Sequence, residues 1–143
     1  MSSSLSESPV HLNYRTTLLV SLLVITPLGF ASKFYRGPLA WWFNDHLGGL
    51  LYEMFWILLI ILIWPKLSPF WVACGVFLVT CALEFLQLWH PPFLQLIRST
   101  FLGRTVIGTS FTWWDFPYYI VGCAAGSLWL RYVRQKSGGP RSN

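Results

Sequence analysis

The chain has 143 residues, of which 55% are hydrophobic and only 10% are charged, and its formal net charge is +5. Soluble domains carry roughly 25% charged residues, so this composition excludes an ordinary soluble domain and is typical of a membrane protein. Nucleic-acid binding is not expected either, because the basic residues form no dense patch and four of them follow the last apolar run, where anionic lipid headgroups lie.

The apolar residues are grouped in runs that predict membrane-spanning helices. Residues 1–14 are serine-rich and polar, which predicts a disordered N-terminal tail. Four runs follow, each close to the roughly 20 residues that a helix needs to cross the hydrocarbon core. The predicted spans are residues 16–32, 47–64, 69–89 and 114–133. Residues 136–143 again predict a disordered tail, which leaves residues 15–135 as one membrane domain.

Small residues in the first run also allow a different interpretation. Gly29 and Ala31 give the small-x-small pattern of a signal-peptide cleavage site. The polar tail before this run is long and the flank carries a single Arg, so an uncleaved first span is the favoured interpretation. The sequence thus predicts an all-α, polytopic membrane protein with four transmembrane helices in a bundle.

The connection between the third and fourth spans is not ordinary loop sequence. Residues 90–113 contain about as many apolar as polar side chains, and apolar residues flank Arg98 on both sides. Such a pattern is typical of an amphipathic or re-entrant helix lying against a bundle.

Charged residues between the spans predict the orientation of the chain. Six cations lie on the side of the two termini and four on the opposite side, which predicts both termini in the cytoplasm. The kind of membrane stays open between a bacterial plasma or inner membrane and a thylakoid.

Ionisable residues within the spans point to a site. Glu53 and Glu84 lie inside apolar runs, and Asp115 opens the fourth span. An ionisable group in a span is costly unless it is paired or hydrated, so each is a candidate functional residue. Asp45 is interpreted as an interfacial residue, and His46 as a solvated one.

Helical spacing indicates which polar side chains share a face. Glu84 and Gln87 are three residues apart on the third span. On the fourth span, a stripe recurs at steps of four, three and four, comprising Asp115, Tyr119, Gly122 and Gly126. The two glycines form a small-xxx-small pattern, which predicts close packing against a neighbouring helix.

The predicted connection adds Arg98 and Arg104 to this outer face. A guanidinium binds carboxylates and phosphates bidentately, so these arginines are expected to contact Glu84, Asp115 or an anionic headgroup. Three interpretations stay open: structural ion pairs, a binding pocket, and a catalytic site. The catalytic interpretation is the weakest, because no nucleophile–His pair or phosphate loop accompanies the acids. The three cysteines form no CxxC pair, and no metal or cofactor is expected.

The third and fourth spans together resemble a known family. The pattern consists of Glu84, Gln87, Arg98, Arg104, Gly108, Phe111, Asp115, Tyr119 and Gly122. It is similar to that of the domain of unknown function 2809 family, small bacterial integral membrane proteins related in pattern to the VanZ-like proteins. The association of VanZ-like proteins with glycopeptide tolerance implies a lipid or envelope role. A ribosomal maturation label that is sometimes applied to such sequences fits poorly with four spans.

One position departs from the family pattern. The family commonly has Leu-Gly-Asp where this chain has Leu47, Gly48 and Gly49. Glu53 follows Gly49 by one helical turn on the same face, and we hypothesise that it partly replaces the missing acid.

The sequence therefore predicts a multi-pass membrane protein with an outward-facing polar pocket for an anionic lipid headgroup or envelope precursor. Arg98 and Arg104 are expected to bind the anion, and the neighbouring polar residues to hold them. One alternative is an accessory subunit of a larger membrane complex. The other is a lipid- or prenyl-modifying enzyme with a carboxylate as base.

Overall fold

The computed structural model describes residues 10–141, and every regular element within them is helical. The long helices are α1 (Val10–Ser32), α3 (Gly48–Ile63), α4 (Pro69–Leu86) and α7 (Asp115–Ser137). The short ones are α2 (Ala40–Trp42), α5 (Pro92–Ser99) and α6 (Phe101–Ile107). A π-helical turn, Phe43–Leu47, joins α2 to α3. The all-α prediction is confirmed for this part of the chain.

Within the described residues, three helical stretches are long and apolar enough to cross a membrane. They are Tyr14–Ser32, Ala40–Ile63 and Pro69–Leu86. Helix α7 is as long as α1, but its tyrosines, glycines and charged residues make it less hydropathic, and it does not belong to this set. The apolar helices indicate a membrane-embedded protein.

Both ends of the helical region differ from the predicted limits. Helix α1 begins at Val10, inside the predicted tail, and residues 1–9 lie outside the described part. Helix α7 continues to Ser137 and ends where Gly138 adopts a left-handed φ of 58°, a conformation that glycine accepts at helix ends. Residues 142–143 also lie outside the described part.

A hydrogen-bonded contact explains why both helices extend at this end. The Arg134 guanidinium donates to the Tyr14 hydroxyl at 3.3 Å and to the backbone carbonyls of Pro65 and Leu67 at 2.8 and 2.7 Å. Tyr14 is itself almost fully buried. These contacts join α1, α7 and the connection between α3 and α4.

Helix α3 contacts α1, α4 and α7, and the apolar core forms around it. Fully buried core residues come from three of these helices and include Leu18, Ile57, Leu58, Ile61 and Leu130. Many large apolar side chains face outward instead, as expected for helices whose surroundings are hydrocarbon.

The connection predicted as an amphipathic or re-entrant segment consists of two short helices. Pro92 starts α5, since proline fits the first turn of a helix, and Thr100 separates α5 from α6. The Thr100 hydroxyl donates to the carbonyl of Ile97 at 2.7 Å and accepts from the backbone N–H of Gly103 at 3.0 Å. Thr100 therefore ends one helix and caps the next. We call α5 and α6 together the hairpin.

Two contacts fix the hairpin on the long helices. The Tyr52 hydroxyl of α3 donates to the carbonyl of Val106 at 3.1 Å. The rings of Phe30 and Phe101 stack with centroids 6.0 Å apart, which joins α6 to α1. We refer to this end of the molecule, where α1 and α4 end and α7 begins, as the hairpin end.

Replacing Thr100 with alanine is expected to loosen α6. Loss of an N-cap side chain costs about 1 kcal/mol, or roughly fivefold in the local opening equilibrium. Hydrogen–deuterium exchange of the full chain in detergent, read by mass spectrometry, should show faster exchange in residues 101–107. Thr109→Ala, in the exposed loop that follows, is the control. Equal exchange in the two variants would show that the cap does not hold α6.

Candidate polar site at the hairpin end

Three residues of α7, spaced four apart, face polar groups of the neighbouring segments. We call these three contacts the polar ladder: Asp115 with His46, Tyr119 with Glu84, and Cys123 with Glu53. At 1.5 Å per residue, the ladder extends about 12 Å along α7 from the hairpin end. Helical spacing alone placed Asp115 and Tyr119 on one face, and the structure adds Cys123 to it.

The innermost contact of the ladder involves a carboxyl with no exposure to solvent. Glu53 is 0% exposed, and its Oε2 accepts a hydrogen bond from the Cys123 thiol at 3.0 Å. Its Oε1 has no hydrogen-bond partner among the described residues. The Thr80 side chain of α4 lies beside this carboxyl and donates its own hydrogen to the carbonyl of Val76 at 3.0 Å. No Lys or Arg in the described part forms an ion pair with Glu53.

The middle contact joins α4 to α7. Glu84 is 3% exposed, and its Oε1 accepts a hydrogen bond from the Tyr119 hydroxyl. Its Oε2 has no hydrogen-bond partner among the described residues, although the Gln87 side chain and the backbone N–H of Thr112 approach the carboxyl more loosely. This part of the site therefore contains a second buried carboxyl without a cationic partner.

Gln87 completes the middle of the site against the loop after the hairpin. It is buried, and a Cβ added at Gly108 would lie 2.6 Å from its Nε2. Gly108 also has a φ of 81°, which L side chains rarely adopt. Glycine is therefore required here both for space and for conformation.

The outermost contact joins the predicted Asp115 to a histidine and aromatic side chains that sequence reasoning did not assign to the site. His46 Nδ1 lies 3.5 Å from Asp115 Oδ1, and its ring stacks on Tyr118 at a centroid distance of 4.2 Å. Trp42 donates from Nε1 to the Tyr118 hydroxyl at 2.9 Å. His46 shares a predicted helical face with Glu53, but nothing in the sequence indicated that its partner is in α7. Asp45, interpreted as interfacial, is exposed.

Arg98 does not contact the acids that it was expected to pair with. It is 5% exposed and donates from Nη1 to the carbonyl of Trp89 at 3.0 Å and from Nη2 to that of Leu86 at 2.8 Å. These carbonyls lie at and just beyond the end of α4, where helices leave acceptors unsatisfied. Arg98 therefore caps α4 and holds α5 against it.

Arg104 lies outside the polar ladder. Its side chain is exposed in the last turn of α6 and has no hydrogen-bond or ion-pair partner in the part of the chain that the structure describes. The two arginines that the sequence grouped together therefore have different surroundings, one buried and engaged, the other exposed.

Gly122 and Gly126 lie where α7 is closest to α3. A Cβ at Gly122 would stand 2.6 Å from the carbonyl oxygen of Leu50 and 2.9 Å from the Cβ of Glu53. At Gly126 the nearest atom would be Ile57 Cδ1 at 3.2 Å. This close approach brings Cys123 within hydrogen-bond reach of Glu53.

Position 49 and Glu53 face successive contacts of the ladder. A Cβ at Gly49 would lie 3.0 Å from Cε1 of Tyr119, whereas the Glu53 carboxyl meets Cys123 one turn deeper. A carboxyl at Glu53 is therefore placed deeper in the helical core than one at position 49.

The two inner contacts combine two buried carboxyls with one hydroxyl and one thiol. Each member of the two inner contacts can donate or accept a hydrogen bond. Within residues 10–141, no three His, Cys, Asp or Glu side chains are grouped so that they could hold a metal ion.

A comparison with family models agrees with the resemblance drawn from the motifs. The model described as "Protein of unknown function (DUF2809)" matches residues 39–123. This region begins just before the π-helical turn and ends at Cys123, so it includes the whole polar ladder. No solved structure matches the chain. Because the match covers more than half of the sequence, the chain belongs to the DUF2809 family.

Proposed function

We propose that the protein is a four-span membrane protein whose hairpin binds the phosphate of an anionic lipid headgroup or a lipid-linked envelope precursor. In this proposal α7 is the fourth span of a four-helix bundle, and both termini are cytoplasmic. The hairpin then lies in the outer membrane–water interface. The excess of cations on the side of the termini supports this orientation.

One observation carries the proposal: Arg104 is exposed and unpartnered within the described residues, and it stands among outward-facing apolar side chains. Phe101 and Leu102, in the same short helix, are both more than two-thirds exposed. Such an arrangement suits an interfacial helix whose apolar side chains enter the acyl boundary while its cation meets phosphate. Arg is suited to this contact, since its planar guanidinium binds phosphate bidentately.

Helix α5 supports the same placement. Its large apolar side chains Phe93, Leu96 and Ile97 are exposed, beside the uncharged Gln95 and Ser99, whereas its arginine is turned inward. A helix whose exposed face is largely apolar and carries no charge fits a position against lipid. Because Arg98 is buried and both of its terminal nitrogens bind carbonyls at the end of α4, the anion contact from this segment falls to Arg104.

Lipid retention by purified protein tests the proposal. The full chain in nanodiscs containing a mixture of phosphatidylglycerol and phosphatidylcholine is released into the mass spectrometer, and the bound phosphatidylglycerol is counted. Arg104→Gln is expected to weaken retention by roughly 1 kcal/mol, which is about fivefold, since each basic residue near an anionic surface contributes about that much.

The matched control is Gln95→Ala, at an exposed and uncharged position of the hairpin. Its loss should leave phosphatidylglycerol retention at the hairpin unchanged. Equal retention by wild type and Arg104→Gln would contradict the proposal, as would equal losses in the two variants.

A second candidate function, an accessory subunit of a larger membrane complex, is favoured by an aromatic surface beside α7. The rings of Phe85, Phe111, Trp113 and Phe116 contact one another, and Trp113 is 69% exposed. Exposed aromatic residues are enriched in protein–protein interfaces. Gentle solubilisation from the native membrane should then recover a stoichiometric partner that Trp113→Ala releases, and a monodisperse lone protein would rule this candidate out.

A further inference from the structure

We infer that Glu53 is a proton-binding site within the helical core, and that protons reach it from the hairpin end along the polar ladder. This inference is independent of the lipid contact at Arg104.

The hydrogen-bond geometry around Glu53 fits a neutral carboxylic acid. An ionised carboxylate that is completely buried without a cation is strongly disfavoured. Oε2 already accepts from the Cys123 thiol, whereas Oε1 has no donor among the described residues. The Thr80 hydroxyl lies beside the carboxyl, and because its own hydrogen is engaged with the carbonyl of Val76, its oxygen presents an acceptor to a protonated Glu53. Protonation therefore removes the unpaired charge and gives the carboxyl a hydrogen to donate.

The groups that surround Glu53 are all neutral when protonated. Its own helix contributes Tyr52, α4 contributes Thr80 and Cys81, and α7 contributes Tyr119 and Cys123. Helix α1 has no charged residue between Thr16 and Ser32. Because none of these groups is a cation, the proton itself is the ligand that neutralises the Glu53 carboxyl.

The ladder provides a series of groups that can exchange protons. The Tyr119 hydroxyl lies one turn of α7 above Cys123 and donates to Glu84. Asp115 and His46 lie one further turn out, and both are partly exposed, at 20% and 13% of their side-chain surface. Solvent protons can therefore meet the outermost contact directly, whereas each inward step covers about 6 Å along α7, which side-chain rotation or a transient water must bridge.

On the other side of Glu53 the core is closed by apolar side chains. Ile57, Leu58, Ile61 and Leu130 occupy the next two turns of α3 and the facing part of α7, and all four are fully buried. A charge in such surroundings is unfavourable by many kcal/mol, so this layer is a barrier to protons. The site is consequently open to one end of the molecule and closed to the other.

Infrared spectroscopy of the full chain in nanodiscs tests the inference. Protonated carboxyl groups give a C=O band separate from that of carboxylates, and exchange of the acid proton for deuterium shifts it. Glu53→Gln is expected to remove one such band. After mixing with D₂O, Tyr119→Phe is expected to slow the shift of the Glu53 band by on the order of a hundredfold, the lower range of what a positioned proton-transfer group contributes.

Two controls distinguish the loss of a proton-transfer group from a general loosening of the helical bundle. Tyr132→Phe removes an exposed tyrosine of α7 and should exchange like wild type. Arg134→Gln breaks the contacts at the opposite end and should also leave the exchange rate unchanged. Faster exchange in Arg134→Gln would place the entrance at that end and overturn the inference.

Two further results would refute it. One is a protonated-carboxyl spectrum that is the same in wild type and Glu53→Gln. The other is an exchange rate of the Glu53 band that is as fast in Tyr119→Phe as in wild type. If Glu53→Gln does not fold, Cys123→Ala assigns the band, because loss of the thiol donor should shift its frequency, and an unshifted spectrum would then overturn the inference.

Discussion

Arg98→Met is expected to destabilise the protein by about 3–5 kcal/mol, since hydrogen bonds to a charged group contribute about 1.5–3 kcal/mol each. The variant keeps an unbranched apolar side chain but leaves the carbonyls of Leu86 and Trp89 without their donors in a buried setting. The end of α4 and the start of α5 should both loosen. Unfolding of the full chain in mild detergent, followed by tryptophan fluorescence during denaturant titration, measures the change.

Two further variants make the Arg98 measurement specific. Arg131→Met, at an exposed position of α7, should change stability by no more than about 0.5 kcal/mol. Arg98→Lys should recover only part of the loss, because a single ammonium lacks the planar fork that reaches two carbonyls at once. If Arg98→Met and Arg131→Met unfold at the same denaturant concentration, then Arg98 does not hold the end of α4.

Gly122→Ala is expected to cost about 1–3 kcal/mol, the usual effect of extra volume in a packed core. The added Cβ would stand 2.6 Å from the backbone oxygen of Leu50, and backbone cannot move aside as the end of a flexible side chain can. Helices α3 and α7 would have to separate, and Glu53 would move with α3. The same denaturant titration measures the loss.

Gly75→Ala provides the matched control for this substitution. Gly75 lies inside α4, and an added Cβ there meets no atom within 4 Å. Alanine is a better helix former than glycine by about 1 kcal/mol, so this variant should be as stable as wild type or slightly more stable. A Gly122→Ala protein as stable as Gly75→Ala would show that α3 and α7 are not in close contact at this point.

The course of the helices could be predicted because it depends on local features. The third predicted span begins at residue 69 and α4 begins at Pro69, since proline fits the first turn of a helix and rarely its interior. The helix ends at Leu86 rather than at residue 89. That end depends on Arg98, which takes up the carbonyls of Leu86 and Trp89 from another helix, and such a tertiary contact leaves no periodic signal in α4.

Helical periodicity could predict which site residues share a face of one helix, but not which residues of different helices contact each other. Spacing placed Glu84 with Gln87, and Asp115 with Tyr119, because residues three or four apart share a face. It could not identify what Arg98 binds, since backbone carbonyls are present at every residue and carry no sequence signature. Cys123 was likewise not predicted as part of the site, because its contact with Glu53 depends on how closely α7 approaches α3.

The π-helical turn at Phe43–Leu47 has a consequence for how relatives of this protein are compared. Such a turn holds one residue more than the regular helix would, and that insertion rotates everything before it by about 100° around the helix axis. Trp42, which precedes the turn, donates from Nε1 to the Tyr118 hydroxyl at 2.9 Å. A family member with a single-residue deletion here would keep the same hydrophobic span, but the side chains before the turn would face a different direction at the hairpin end. Gaps of one residue in this segment are therefore expected to mark subgroups of the family whose hairpin ends differ in shape.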